Sequence, residues 1–195
     1  MSKGKGPLII LSGPTGCGKS TVTARLLARG DLPLRQSVSA TTRPPRSGER
    51  DGVHYRFWTR ERFEEEVHAG GFLEWALVHG NYYGTPRSEV QPYRERSIGV
   101  ILVIDVQGAA QVRLKCPDAV SVFLRASCWQ DYERRLRGRG TEDEATIARR
   151  LATAREELAR ACEYQCEVIN DDLESAVEQF HAIVRRQFER SGHAG

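Results

Sequence analysis

The chain has 195 residues, with 29 basic and 26 acidic side chains and a net charge of +3. That length fits one domain carrying small inserts, large enough to bury a core without disulfide or metal staples. The longest aliphatic run, residues 100–104, falls far short of the roughly 20 residues of a membrane span. The 8–11 run is too short for the core of a signal peptide, so the chain is expected to be cytoplasmic, with its five cysteines as free thiols.

In chain order, 7–12 reads as a buried strand ending in Gly-Pro, and 18–29 as a helix with Val22, Leu26 and Leu27 on one face. Residues 35–40 read as a strand and 41–52, rich in Thr, Pro, Arg and Gly, as a loop. Strands are expected at 53–58 and 72–79, with a helix at 60–69 between them. A buried strand at 100–104 precedes a helix from Gln107, and 119–124 is a further apolar run. Helices follow at 129–136 and 142–162, the second with Ile147, Leu151, Ala154 and Leu158 at helical spacing. A last strand ends at Val168-Ile169. Leu173, Val177, Phe180, Val184 and Phe188 stripe a closing helix. Strands alternating with helices indicate an α/β fold, a parallel sheet with helices on both faces. Cys162 and Cys166, four apart on the expected helix with no histidine beside them, read as packing residues rather than a metal pair.

Gly13, Pro14, Thr15, Gly16, Cys17, Gly18, Lys19 and Ser20 fit G-x-x-x-x-G-K-[ST] in full, between an expected strand and an expected helix. Such glycines let successive N–H groups turn toward phosphate oxygens, and the helix adds the positive end of its dipole. Lys19 can reach the β- and γ-phosphates of a nucleotide and Ser20 can ligate Mg²⁺. Cys17 reads as a small space-filler. No Asn-Lys-x-Asp guanine motif of GTP switches and no transporter signature is present, which favours a small kinase with an acceptor-binding insert and a mobile lid.

The segment 37–49 is followed by Tyr55, then by Phe72-Leu73-Glu74-Trp75-Ala76 and Gly80-Asn81-Tyr82-Tyr83-Gly84-Thr85. Arg43 and Arg46 stand three apart in a proline-stiffened loop, so both guanidinium forks can grip one anion. A carboxylate at Glu74 can accept the N1–H and N2–H₂ pair that guanine offers and adenine lacks. Together with SGPTGCGKST, SVSATTRPPRSGE, IDVQGA, RGRGTEDE and VINDDL, in that order along the chain, these stretches resemble guanylate kinase from about Ile9 to Leu173. The resemblance implies a P-loop kinase core (1–37, 98–128 and 164–195), a mixed β/α GMP-binding insert (38–97) and a helical lid (129–163). It implies that Ser39, Glu74 and Thr85 contact the guanine and that Arg43, Arg46, Tyr55 and Tyr83 hold the GMP phosphate. It further implies that Asp105 lies near the GMP and, through water, near the metal, that Arg139 and Arg150 close on the ATP phosphates with Lys19, that Thr21 joins the phosphate loop, and that Asn170 and Asp171 line the adenine pocket.

The family's usual acid two residues before Asp105 is Val103 here, and Thr85 stands where serine is common. The implied activity is transfer of the γ-phosphoryl of ATP to GMP or dGMP, with Mg²⁺. The alternatives are a related kinase with another acceptor and a non-catalytic guanylate-kinase-like binding domain. A GMP phosphate is already a nucleophile at neutral pH, its second pKa being near ~6. No catalytic histidine is needed, and His54, His79, His181 and His193 read as solvated or packing residues. The basic residues are 25 Arg and four Lys. The pI of about 8.7 is below the value above about 9 typical of nucleic-acid domains, so most of these arginines are expected to be surface charges equivalent to lysine. No nucleic-acid or membrane partner is expected.

Overall fold

The computed structural model describes residues 4–78, 80–138 and 143–192. Five strands, β1 (Leu8–Ser12), β2 (Leu34–Gln36), β7 (Gly99–Val103), β8 (Val120–Arg125) and β9 (Cys166–Ile169), form an all-parallel sheet in the order β2-β7-β1-β8-β9. Helices α1 (Lys19–Ala28) and α7 (Leu173–Arg190) cover one face, and α4 (Val106–Lys115) covers the other. The central strand shows why. Ile9 and Leu11 pack with Val22, Leu26, Val177 and Phe180, while Leu8 and Ile10 pack with Val100, Leu102, Ala109 and Val112. With both faces covered, β1 is apolar at every core position rather than at alternate ones, and each buried Leu or Ile contributes on the order of 2 kcal/mol. The expected closing stripe is buried at Val177, Phe180, Val184 and Phe188.

The second sheet has the order β4-β3-β6-β5, from β3 (Ala40–Thr41), β4 (Arg56–Phe57), β5 (Phe72–Val78) and β6 (Asn81–Pro86). Helix α2 (Arg60–His68), capped by the Thr59 hydroxyl, seats Phe63 between Phe72 (4.3 Å) and Tyr82 (5.1 Å). Helix α3 (Gln91–Glu95) returns the chain to the first sheet, where Val90 and Tyr93 join the cluster of Leu8 and Ile10. Helices α5 (Trp129–Arg137) and α6 (Glu144–Leu158) sit between β8 and β9 in the chain and pack on each other. Among the described residues no helix is long and apolar enough to cross a membrane.

Several expected elements differ. The strand expected at 35–40 is two strands in two sheets: Gln36 pairs with Ile101 in the first and Ala40 with Gly84 in the second. Ser37, Val38 and Ser39 carry the chain across, and the Ser37 amide and hydroxyl both donate to the Ile101 carbonyl (3.0 and 3.3 Å). The strand expected at 53–58 shortens to two residues, because the amides of Val53 and His54 turn back to the Arg50 carbonyl. Strand β6 was not expected; its Gly84 and Pro86 hide the β pattern. The helix expected at 142–162 stops at Leu158, so Cys162 lies in a short 3₁₀ turn and Cys166 opens β9 rather than sharing a helix face with it. Glu142 lies outside the described residues. All five cysteines are free.

Candidate phosphotransfer site

The loop between β1 and α1 leaves the C-terminal end of the central strand, where ligands of open α/β sheets bind. Gly18 caps α1 at φ 97°, a left-handed backbone, and a Cβ there would strike the Asn170 amide. That amide donates to the Cys17 carbonyl (2.7 Å), and Arg135 bridges the Cys17 and Asn170 carbonyls (3.3 and 2.7 Å). Burial pushes the Cys17 thiol up, more than the nearby Lys19 lowers it, and the side chain is fully buried. It packs, as expected. Lys19 Nζ donates to the carbonyls of Gly13 (2.5 Å) and Pro14 (3.1 Å). No acidic side chain stands in the first turn of α1, so the helix dipole there is left for an anion.

A carboxyl group already reaches this loop. The Thr15 amide donates to Glu157 Oε2 (3.2 Å), a buried carboxyl of α6 that no motif singled out. Burial pushes that carboxyl up, and Lys19 opposes it.

A cleft of about 980 Å³ opens in front of this loop. Thr15, Gly16, Gly18, Lys19, Ser20 and Thr21 form one wall, and Arg150, Thr153, Glu156 and Glu157 of α6 with Arg160 just beyond it form another. Ser39, Arg46, Tyr55 and Leu77 face them from the second sheet and its loops, and Val103 and Asp105 form the floor. Asp105 caps α4, its carboxylate accepting from the amides of Gln107 (2.9 Å) and Gly108 (2.8 Å). Val103 packs against the core of the first sheet.

The remaining expected residues lie off that lining. Arg43 is paired with Glu49, both nitrogens of its fork at 2.9 Å, which raises its pKa. The Arg46 amide reaches the same carboxylate (2.7 Å), so Glu49 ties the two arginines together. Tyr55 and Tyr83 meet edge to face at 6.0 Å, with the Arg43 guanidinium 5.5 Å from the Tyr55 ring. Glu74 is 4% exposed and accepts from the Thr85 hydroxyl at 2.6 Å. A bulge between Phe72 and Glu74 sets this pairing: Phe72 opposes Pro86 while Glu74 opposes Thr85. Bulges re-aim side chains in this way. Asn170 is committed to the phosphate loop, and Asp171 accepts from the Ser127 amide (2.9 Å). Arg139 lies outside the described residues, as do His79 and His193. His54 is exposed at the cleft and His181 contacts Asp31 (2.7 Å).

A strand, a glycine-rich loop and a helix end without a side-chain cap at the carboxyl edge of a parallel sheet, facing a second sheet across a cleft, define a P-loop phosphotransferase. A family model described as guanylate kinase matches residues 5–187. The chain is 51% identical over 182 residues to a guanylate kinase of Rubrobacter xylanophilus, covering 93% of this chain and 95% of that one. It is 49% identical over 170 residues to one of Synechococcus sp., covering 87% and 89%. The crystal structure of a guanylate kinase from Anaplasma phagocytophilum superposes with a TM-score of 0.77 at 31% identity, over 95% of this chain and 87% of that one. The chain belongs to the guanylate kinase family of ATP:GMP phosphotransferases.

Proposed function

We propose that the cleft transfers the γ-phosphoryl of ATP to GMP or dGMP, giving ADP and GDP, on free nucleotides in the cytoplasm. The observation that carries the guanine reading is the buried Glu74 carboxyl, fixed by Thr85 on the sheet that faces the phosphate loop. Two acceptor oxygens at that point match the N1–H and N2–H₂ edge, and Ser39 and the Thr85 hydroxyl complete the base site. Arg43, Arg46, Tyr55 and Tyr83 hold the GMP phosphate. The loop from Gly13 to Thr21 holds the ATP phosphates. Asn170 acts on ATP through the loop it fastens, and Asp171 stands beside it. Asp105 lies between the two substrates.

The donor set at the floor suits Mg²⁺. Ser20 and Asp105 both line the cleft, and no group of three or more His, Cys, Asp or Glu that could hold a metal occurs among the described residues. That is the arrangement for a hard cation shared with nucleotide phosphates rather than caged by protein. Ser20 would ligate it and Asp105 would hold its water; when bound, it neutralises charge on the β- and γ-phosphates.

The acceptor is a dianion and needs no base, so this chain's residues supply alignment and charge. Lys19 exchanges its two carbonyl partners for phosphate oxygens. Arg150, with Arg139, brings positive charge from the lid. Closure of the second sheet and of α6 over the loop expels water and brings the reacting oxygen in line.

Coupled ADP release with MgATP and GMP, dGMP, AMP, CMP and UMP in turn tests the proposal. Turnover with GMP and dGMP far above the rest is expected, and AMP turnover equal to that with GMP would overturn the guanine reading. ATP binding seen as a thermal shift without any turnover would instead leave a binding domain.

A further inference from the structure

Glu74 sits on β5, an edge strand of the second sheet; Thr85 of β6 holds its carboxyl, and side chains of α4 on the first sheet hold the strand itself. The Gln111 side-chain amide pairs with the main chain of Trp75 in both directions: Nε2 donates to the Trp75 carbonyl (2.7 Å), and Oε1 accepts from the Trp75 amide (3.3 Å). A single side chain thus closes the open edge as a neighbouring strand would. On the other side of Glu74, Lys115 Nζ donates to the Leu73 carbonyl (2.9 Å). Residues 108, 111 and 115 share one face of α4 by their spacing. The first of them is glycine. A Cβ on Gly108 would lie 2.5 Å from Glu74 Oε2 and 3.0 Å from its Cδ.

We infer that this face of α4 determines base specificity: Gly108 leaves the slot that the Glu74 carboxyl occupies, and Gln111 and Lys115 fix the strand that carries it. The inference rests on the reading of Glu74 as the group that binds the base. A methyl in the slot meets the far end of a flexible side chain, not backbone. The fold can absorb it by letting Glu74 swing away, which turns a packing change into a recognition defect. Gly108 cannot donate to Glu74 in compensation, because its amide is taken by Asp105. Gln111 and Lys115 are positioning residues in this scheme; they act through β5 and touch no substrate.

The test is steady-state kinetics and thermal melting of the full chain carrying Gly108→Ala, Glu74→Asp, both together, Glu74→Ala, Gln111→Leu and Lys115→Met. Gly108→Ala is expected to raise the KM for GMP about tenfold and to narrow the GMP-over-AMP preference, with the KM for ATP within about twofold of the parent. In the double variant the shorter aspartate withdraws from the added methyl. Its KM for GMP should therefore lie at least about threefold below the product of the single effects. Gln111→Leu and Lys115→Met should each raise the KM for GMP alone, by about threefold or more. Unchanged GMP kinetics in Gly108→Ala overturns the inference, as does an equal rise in both KM values with an additive double variant. If Gly108→Ala fails to fold, the Gln111 and Lys115 variants decide in the same way. If Glu74→Ala leaves the KM for GMP unchanged, the base reading falls and this inference with it. If Glu74→Ala is defective and the α4 variants are not, only this inference falls.

Discussion

Glu74 is a carboxyl under opposed forces. Burial pushes it up, the Thr85 hydroxyl resists, and the charge of Asp105 adds to the rise, leaving it at about 7. A base offering two N–H groups needs the carboxylate, so binding and folding favour different protonation states. The folded pKa lies above the ordinary value of 4.5. The protonated form is therefore favoured by folding, and its stabilising contribution is full below about 4.5 and lost as pH rises through about 7. Relative to Glu74→Gln, the parent chain should lose on the order of 3 kcal/mol between those limits, measured by urea unfolding at a series of pH values. In the same comparison the parent's KM for GMP should fall from pH 6 to 8 relative to that of the variant. A flat ratio would show that Glu74 does not ionise in the site. The motifs placed Glu74 and Thr85 in one site through a resemblance, but their direct pairing depends on the β5 bulge. A bulge is one extra residue in a register, and nothing in FLEWA announces it.

Among the elements, α6 carries the least legible contact. Its apolar stripe of Ile147, Leu151 and Ala154 was readable from spacing, whereas Arg150 was singled out only by the family resemblance. The reach of Glu157 to the Thr15 amide was not, because it joins residues 142 apart in the chain. Only the packing of α6 decides which of its glutamates meets the loop. If the loop holds the ATP phosphates as proposed, an entering phosphate oxygen displaces this carboxyl. Glu157→Gln removes the ionisable group and keeps the shape. The ATP dissociation constant measured by isothermal titration should fall about threefold to tenfold; an unchanged constant would mean that Glu157 leaves the loop freely. The split of 35–40 into β2 and β3 was equally hidden. Period-two patterning tells a strand's faces apart, but not the sheet in which each half finds its partner.

At the scale of the molecule, a buried acid links the two sheets at a second place, apart from the contact of α4 with β5. Glu89 is 4% exposed. Its carboxylate accepts from Arg35 of β2 in the first sheet (2.9 Å) and from Arg56 Nε of β4 in the second (2.9 Å). Arg35 is held in turn over the Tyr93 ring at 3.7 Å. Burial pushes Glu89 up, yet Arg56 and Arg35 together hold it below the usual carboxylate range. Its contribution is thus present above the ordinary glutamate pKa and lost as pH falls through the lower folded value. Glu89→Ala leaves two guanidinium groups without their partner and should cost about 2 kcal/mol at neutral pH, a drop of several degrees in Tm by calorimetry. The parallel sheet and the phosphate loop were plain in the sequence, because buried runs and a complete motif are local signals. This joint was not, for its three members lie far apart in the chain. The expectation that most arginines are surface charges leaves room for exceptions, and three stand out. Arg35, Arg94 and Arg135 are not lysine equivalents on the surface; each guanidinium binds a main-chain carbonyl and a second group on another element, which a single ammonium point charge does poorly.

The bond from Asn170 to the Cys17 carbonyl spans 153 residues. The ribosome makes the phosphate loop long before it makes this fastening. Until Asn170 has been added, the Cys17–Gly18 turn lacks the amide that holds it. The loop therefore gains its final shape only once β9 has docked and brought Asn170 to it. A chain cut short before Asn170 keeps the whole glycine-rich motif and lacks the side chain that holds it in shape.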